Sequence, residues 1–189
     1  MPNPLIAPRE HDDVYARPDN LCEDGTSWRQ LLLRYNKDPA GNPLRLYPAY
    51  QLYENTAYSR LVTRFGVKNV YILSAGWGLI CADFLTPAYD ITFSPSAAPY
   101  KRRRKTDRYE DFPMLPDKTE KEIVFFGGKD YLPLFCALTN TIDSATTVFF
   151  NFARVPQYSG CRFRRFETTT RTNWHYECAN AFIDGTIHM

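Results

Sequence analysis

Two short apolar runs that end in glycine constrain the fold more than any other feature of the sequence. Residues 69–74 (NVYILS) lead into Gly76 and Gly78, and residues 122–126 (EIVFF) lead into Gly127 and Gly128. Short runs rich in β-branched and aromatic residues predict buried strands. We expect each glycine turn to connect its strand to a helix, which predicts an α/β fold. Both turns would then lie at the carboxyl ends of strands, where ligands bind in α/β sheets.

The remaining pattern predicts one domain over residues 1–189, with a mixed or mainly parallel central sheet flanked by helices. Apolar spacing and capping residues predict further elements, namely helices over 28–35, 50–65, 130–138 and 174–183 and strands over 147–152 and 161–166. The polar, proline-rich residues 1–26 predict an extended N-terminal arm. Residues 94–119 contain four prolines and a charge run, which predicts a long basic excursion outside the core.

Composition and missing motifs exclude several classes of protein. The hydrophobic fraction of 44% and the charged fraction of 23% are globular values, and a net charge of +2 excludes a uniformly basic coat. The five cysteines form no CxxC pair and the three histidines are scattered, so we expect no metal and no cofactor. Phosphate-loop, dinucleotide-binding and GxSxG motifs are missing from the sequence. With no signal peptide and no membrane-length apolar run, we expect a cytoplasmic protein with no membrane partner.

Two basic clusters with interleaved aromatic residues predict contact with nucleic acid. The first is Lys101, Arg102, Arg103, Arg104 and Lys105, between Tyr100 and Tyr109; the second is Arg162, Arg164 and Arg165, beside Phe163 and Phe166. Cations bind phosphates and planar rings stack on bases, as single strands and flipped bases require. The alternative is that each cluster is a solvated face.

Carboxylates follow the first glycine turn closely. Asp83, Tyr89 and Asp90 lie within 16 residues of Ser74. A carboxylate beside a glycine-lined pocket can activate water, stabilise a cationic sugar or hold the amino group of a base. The alternative is structural, with Asp83 capping a turn and Asp90 starting an Asx-turn.

The central part of the chain contains Ile72-Leu73-Ser74-Ala75-Gly76-Trp77-Gly78-Leu79, followed by Leu85-Thr86-Pro87-Ala88-Tyr89-Asp90. Apart from one extra residue, Ala88, this pattern resembles that of YaaA-type proteins, a family associated with DNA and peroxide stress. Gly127, Gly128, Asp130 and Tyr131 resemble a later strand-glycine-tyrosine element of the family. The resemblance covers about half the chain and implies an α/β fold, association with DNA, and a setting in which an N-glycosidase of the broad uracil-DNA glycosylase kind would fit.

The resulting hypothesis is a DNA glycosylase that removes a damaged or modified base, in phage defence or DNA repair. A base flipped out of double-stranded DNA, or taken from a single strand, would stack on Trp77 or Tyr89. Its edge or a phosphate would contact Ser74 and the backbone of Gly76 and Gly78, and Asn55 would read the base edge. Asp90, with Asp83 in reserve, would activate water or stabilise the sugar cation. The alternatives are a non-catalytic DNA-binding stress protein and an enzyme that binds free nucleosides or nucleotides.

Overall fold

The computed structural model describes residues 18, 20–22, 24–99, 101–104 and 106–189. Most of the predicted N-terminal arm, together with Tyr100 and Lys105, lies outside these residues. Within the described residues the chain is a single mixed α/β domain, so the predicted fold class is confirmed. The single central sheet that we expected is instead divided into three small sheets.

The four α-helices of the described residues are amphipathic or buried segments close to the predicted ones. They are α1 (Trp28–Tyr35), α2 (Ala57–Phe65), α3 (Leu132–Thr139) and α4 (Trp174–Ile183). The Ser27 side chain accepts a hydrogen bond from the backbone N–H of Gln30, whose own side chain accepts from the backbone N–H of Ser27. This capping box fixes the start of α1. The predicted helix over 50–65 is divided in two. Ala49–Leu52 forms a 3₁₀ turn, and α2 begins only at Ala57.

Eight short strands form the three sheets of the described residues. They are β1 (Tyr47–Pro48), β2 (Tyr71–Ser74), β3 (Gly78–Cys81), β4 (Leu85–Thr86), β5 (Phe112–Pro113), β6 (Ile123–Phe126), β7 (Thr146–Phe150) and β8 (Cys161–Arg165). One sheet has the order β2-β3-β5, with β2 and β3 antiparallel and β3 and β5 parallel. A second sheet, β6-β7-β8, is parallel throughout. An antiparallel ribbon joins β1 to β4.

The first glycine turn does not lead into a helix, and that prediction is wrong. Residues 75–77 join β2 to β3 as a hairpin, with Ser74 paired to Gly78. Gly78 has a φ of +90°, and a Cβ there would lie 2.6 Å from the backbone nitrogen of Phe112. The glycine therefore allows β5 to approach β3, which is a packing role within the chain. The second glycine turn follows β6 and leads into α3, as predicted.

The segment 94–119 has little regular structure but contributes to the core. Phe112 lies in β5 and is only 7% exposed. It stacks on Trp77 with ring centroids 6.4 Å apart. The hydrophobic cluster that contains Phe112 and Trp77 also includes Trp28 and Leu32 of α1 and Ile80 of β3. The parallel sheet is covered on one face by α3, through Phe135 and Val148, and on the other by α4, through Cys178 and Phe149.

Candidate functional site

A cavity of about 990 Å³ lies between the two three-stranded sheets. Its walls come from β2 and β6, which are both edge strands, and from α2, the start of α3 and α4. Cavities of several hundred cubic ångströms are typical of sites for small organic ligands. The lining is mainly apolar and aromatic, and it also includes polar and charged side chains.

Five tyrosines bring hydroxyl groups to the cavity. The lining includes Tyr53, Tyr58, Tyr71, Tyr131 and Tyr176. The rings of Tyr53 and Tyr58 stack, with centroids 4.5 Å apart and an angle of 20° between their planes. Tyr58 meets Tyr176 edge to face at 5.7 Å, and their hydroxyl oxygens are 3.5 Å apart. The cavity therefore offers planar faces with hydroxyl groups at their edges.

Burial favours the uncharged forms of three of these tyrosines and of one histidine. It raises the pKa of Tyr58 and Tyr131 and holds the pKa of Tyr53 well above its ordinary value. It also lowers the pKa of His175, which lines the cavity beside Tyr176. A neutral phenol can donate one hydrogen bond, and a neutral imidazole can donate one and accept one. The aromatic part of the cavity thus suits an uncharged polar ring.

Charged side chains line the cavity near the amino end of β6. Glu122 accepts a hydrogen bond from the Thr147 hydroxyl at 2.5 Å, and it is the one acidic side chain among the described lining residues. Lys121 donates to the Asn69 side chain at 2.7 Å, and Lys68 pairs with Asp83 at 2.5 Å. The cavity therefore has a neutral aromatic part and a polar, charged part.

Most residues predicted to form the base pocket instead form hydrogen bonds and packing contacts within the hairpin turn. The Ser74 hydroxyl oxygen accepts from the backbone N–H of Gly76 at 3.0 Å and of Trp77 at 2.9 Å. Trp77 is fully buried against Phe112 and Tyr89, so its ring has no face free for a ligand. A Cβ at Gly76 would meet Tyr89 at 3.3 Å, which shows how closely this turn is packed.

Two buried arginines bind the carbonyl oxygens of the same turn. Arg29, only 3% exposed, donates to the carbonyl of Gly76 at 2.7 Å and to that of Trp77 at 3.4 Å. Arg103, 6% exposed, donates to the carbonyl of Ala75 at 3.0 Å. The protein itself therefore binds the carbonyls of this turn through two arginines and two of its N–H groups through Ser74.

The predicted carboxylates lie in ion pairs outside the cavity. Asp83 pairs with Lys68, and Asp90 is half exposed and pairs with Lys101. Asn55 accepts from the backbone N–H of Ala57 at 2.9 Å and thereby serves the start of α2. Among the described residues, Tyr89 is the predicted pocket residue that connects with the cavity, since its hydroxyl is hydrogen-bonded to that of Tyr53.

The first basic cluster is not a uniform patch. Arg103 forms a buried pair with Asp111, with two nitrogen–oxygen distances of 2.7 and 2.6 Å, so its predicted phosphate contact is incompatible with this arrangement. Arg102 donates to the carbonyl of Pro95 at 3.2 Å, and Arg104 is exposed. Arg103 therefore stabilises the fold, whereas Arg104 is at the surface.

The second basic cluster lies on β8, the edge strand of the parallel sheet. Arg162 and Arg164 alternate with Phe163 and are exposed, while Arg165 donates to the carbonyls of Phe152 and Ala153. Arg162 lies 3.9 Å from Glu122, and Arg164 donates to the carbonyl of His188 at 2.9 Å. Exposed Arg162 therefore lies near Glu122 in the charged part of the cavity.

Sequence reasoning missed the tyrosine cavity because its residues are far apart in the chain. Tyr58 and Tyr176 are separated by 118 residues. Gly128 and Tyr131 are the cavity residues that the sequence could have indicated, because they follow a strand predicted to end at the ligand-binding edge of the sheet. Within the described residues no group of three or more histidine, cysteine or acidic side chains is arranged to hold a metal ion. None of the helices described is long and apolar enough to span a bilayer.

Comparison with known proteins gives no match for this chain among family models, curated proteins or solved structures. The resemblance to YaaA-type proteins therefore stays a prediction.

Proposed function

We propose that the protein binds a nucleobase in the cavity between its two sheets. The observation that carries this proposal is the group of tyrosine rings and hydroxyls around the aromatic part of the cavity. A nucleobase is flat and uncharged and carries hydrogen-bonding atoms around its rim. It can therefore stack on the tyrosine rings and form hydrogen bonds with their hydroxyl groups. Stacking of one base on an aromatic side chain contributes about 1–3 kcal/mol.

The base is proposed to come from DNA, and the reaction to be cleavage of its N-glycosidic bond. Enzymes that act on a base within DNA take it out of the stack into such a pocket. Exposed Arg162 and Arg164 on β8 are the cations best placed to contact a phosphate backbone, with Arg104 on the other basic cluster. Because Asp83 and Asp90 lie outside the cavity, Glu122 joins them as a candidate for activating water.

Ligand binding is tested first, with free bases and a variant that fills the cavity. Gly128 lines the cavity, and a Cβ there would meet nothing within 4 Å. Gly128→Leu should therefore block the cavity without a clash of its first carbon. Ala137→Leu, at an exposed position on α3, is the matched control.

Isothermal titration with hypoxanthine, uracil, cytosine and adenine measures the result. We expect at least one base to bind the wild type and Ala137→Leu equally, and Gly128→Leu to bind it at least tenfold more weakly. If the wild type binds none of them, or if Gly128→Leu binds them as well as the control does, the cavity is not a base-binding site.

Base release is tested separately with DNA. Genomic DNA containing modified bases is incubated with the protein, and abasic sites and released bases are measured. Loss of release in Glu122→Gln with release intact in Asp90→Asn would assign the water-activating role to Glu122, and the reverse would assign it to Asp90. Binding of DNA without any release would support the non-catalytic alternative.

A further inference from the structure

Each of the two strands that border the cavity has one edge without a strand partner. Among the described strands, β2 pairs with β3 alone and β6 pairs with β7 alone. Within a strand, the N–H and C=O of one residue point to one side, and those of the next residue point to the other. Every second residue of β2 and of β6 therefore presents a donor and an acceptor at the free edge of its strand.

A hydrogen bond just before β2 fixes which of its residues face the free edge. The backbone N–H of Ala82 donates to the carbonyl of Val70 at 2.9 Å, so Val70 faces β3, and so does Ile72. Tyr71 and Leu73 then direct their N–H and C=O groups away from β3, toward the cavity that both residues line.

The corresponding hydrogen bond in β6 is formed by its first residue. The backbone N–H of Ile123 donates to the carbonyl of Ala145 at 2.8 Å, so Ile123 and Phe125 face β7. Val124 and Phe126 direct their backbone groups to the opposite side, and both residues line the cavity.

The N–H and C=O groups at these two free edges have no hydrogen-bonding partner within the described part of the chain. Backbone groups of this kind bind another strand, a ligand or water. In each of the edge residues the donor and the acceptor lie side by side. The edges therefore match a planar ring that carries an acceptor next to a donor.

Leu73 and Phe126 are the free-edge residues toward the aromatic part of the cavity. Lys121 and Asn69, which precede β6 and β2, are hydrogen-bonded at 2.7 Å and lie in the charged part. Leu73 lies further along β2 and packs against the same hydrophobic cluster as Tyr131. Phe126 ends β6, directly before the turn that leads to Tyr131.

Resting on the proposed function, we propose that the backbone of Leu73 and Phe126 recognises the base through a donor and an acceptor that lie side by side on its ring edge. The N–H donates to a ring nitrogen or a carbonyl oxygen, and the C=O accepts from the neighbouring amino or ring N–H group. Adenine and cytosine carry this pair as an amino group beside a ring nitrogen, and uracil and hypoxanthine carry it as a ring N–H beside a carbonyl. The ligand class is planar heterocycles with an amidine or lactam edge.

The first test compares bases that keep or lack the donor. All of them carry a methyl group at the nitrogen that DNA links to the sugar. Methylated purine has no donor and is the reference for methylated adenine and hypoxanthine. The methylated pyrimidinone with hydrogen in place of the cytosine amino group is the reference for methylated cytosine and uracil. Titration calorimetry should show that at least one base binds about tenfold or more tightly than its reference, the equivalent of one to two hydrogen bonds.

The second test removes single backbone N–H groups by replacing an amide with an ester, which leaves every side chain in place. Esters at Leu73 and at Phe126 remove N–H groups that face the cavity, and at least one of them should reduce the preference to about threefold or less. An ester at Ile123 is the matched control, because it removes the N–H that is bonded to Ala145. It should lower the unfolding midpoint more than the other two esters and keep the wild-type preference.

The outcomes distinguish backbone recognition from the proposed function. If the wild type binds none of these compounds, both are overturned. If it binds the reference compounds as tightly as the bases, backbone recognition alone is overturned. The same follows if the preference is unchanged in both edge esters, or if the ester at Ile123 reduces it equally. Thermal unfolding checks that each protein is folded, and the two edge esters provide independent measurements if one of them does not fold.

Discussion

Replacing Arg103 with alanine should destabilise the fold strongly rather than weaken contact with nucleic acid. The guanidinium and the Asp111 carboxylate are both less than 10% exposed and are joined by two hydrogen bonds. The same guanidinium also binds the carbonyl of Ala75 and stacks over the ring of Tyr109 at 4.2 Å. Removing one partner of such a pair leaves the other charge buried and uncompensated, which costs about 3–5 kcal/mol.

Urea denaturation measures this loss. With a urea dependence of about 2 kcal/mol per molar, the unfolding midpoint of Arg103→Ala should fall by about 1.5–2.5 M. Arg104→Ala changes the exposed neighbour and should stay within about 0.5 kcal/mol of the wild type. In a double-mutant cycle, Arg103→Met with Asp111→Asn should lose less than the sum of the two single changes, because neither charge is left alone.

The opposite result would refute this reasoning. If Arg103→Ala lost less than about 1 kcal/mol of stability while its DNA affinity became weaker and less dependent on salt, Arg103 would be a phosphate ligand after all.

Three further results are expected. Gly78→Ala should lower the free energy of unfolding in urea by more than 3 kcal/mol, because its Cβ would lie 2.6 Å from the Phe112 nitrogen. Gly185→Ala, also at positive φ but with nothing within 4 Å of the added Cβ, should lower it by only about 1 kcal/mol, and equal losses would contradict the packing argument. If DNA binds through β8, Arg162→Ala should reduce the slope of log affinity against log salt by about 0.7–0.9, and an unchanged slope would exclude that contact. Because burial lowers the pKa of His175, the folded state binds fewer protons than the unfolded state. Stability should therefore be complete above about pH 6.5 and decrease as the pH falls below it, and His175→Asn should flatten this dependence.

Local signals were sufficient for α1, α3 and α4 and for most of the longer strands, whereas the predicted helix over 50–65 is helical only from Ala57, after a separate 3₁₀ turn. Ser27 and Gln30 mark the start of α1, and the apolar runs before Gly76 and Gly127 predict β2 and β6. The hairpin was not predictable in the same way. The residues 75–78 are compatible with a turn into a helix, and the outcome depends on β5, whose Phe112 pairs with Gly78 from 34 residues further along the chain.

Charge runs were a weaker guide than apolar runs. The run at 101–105 has the composition of a surface patch, yet Arg103 is buried because Asp111 and the carbonyl of Ala75 both face it. Neither partner is marked by the sequence, since one is a common acid and the other a backbone group. The cavity was hidden for a related reason: it depends on where α2 and α4 pack, and that is decided by contacts between residues more than 100 positions apart.

The two arginines that bind the hairpin turn also bear on the order in which the chain folds. The β2–β3 hairpin involves neighbouring residues and can form early, but its carbonyls receive Arg29 from 47 residues before and Arg103 from 28 residues after. Closing chain segments of that length is costly, so these contacts should form after the rate-limiting step. Substitutions at either arginine should then mainly accelerate unfolding and leave the folding rate almost unchanged. The contacts of the two arginines would thus form late and join segments from different parts of the chain. They would affect the unfolding rate, and so the lifetime of the native state, more than the folding rate.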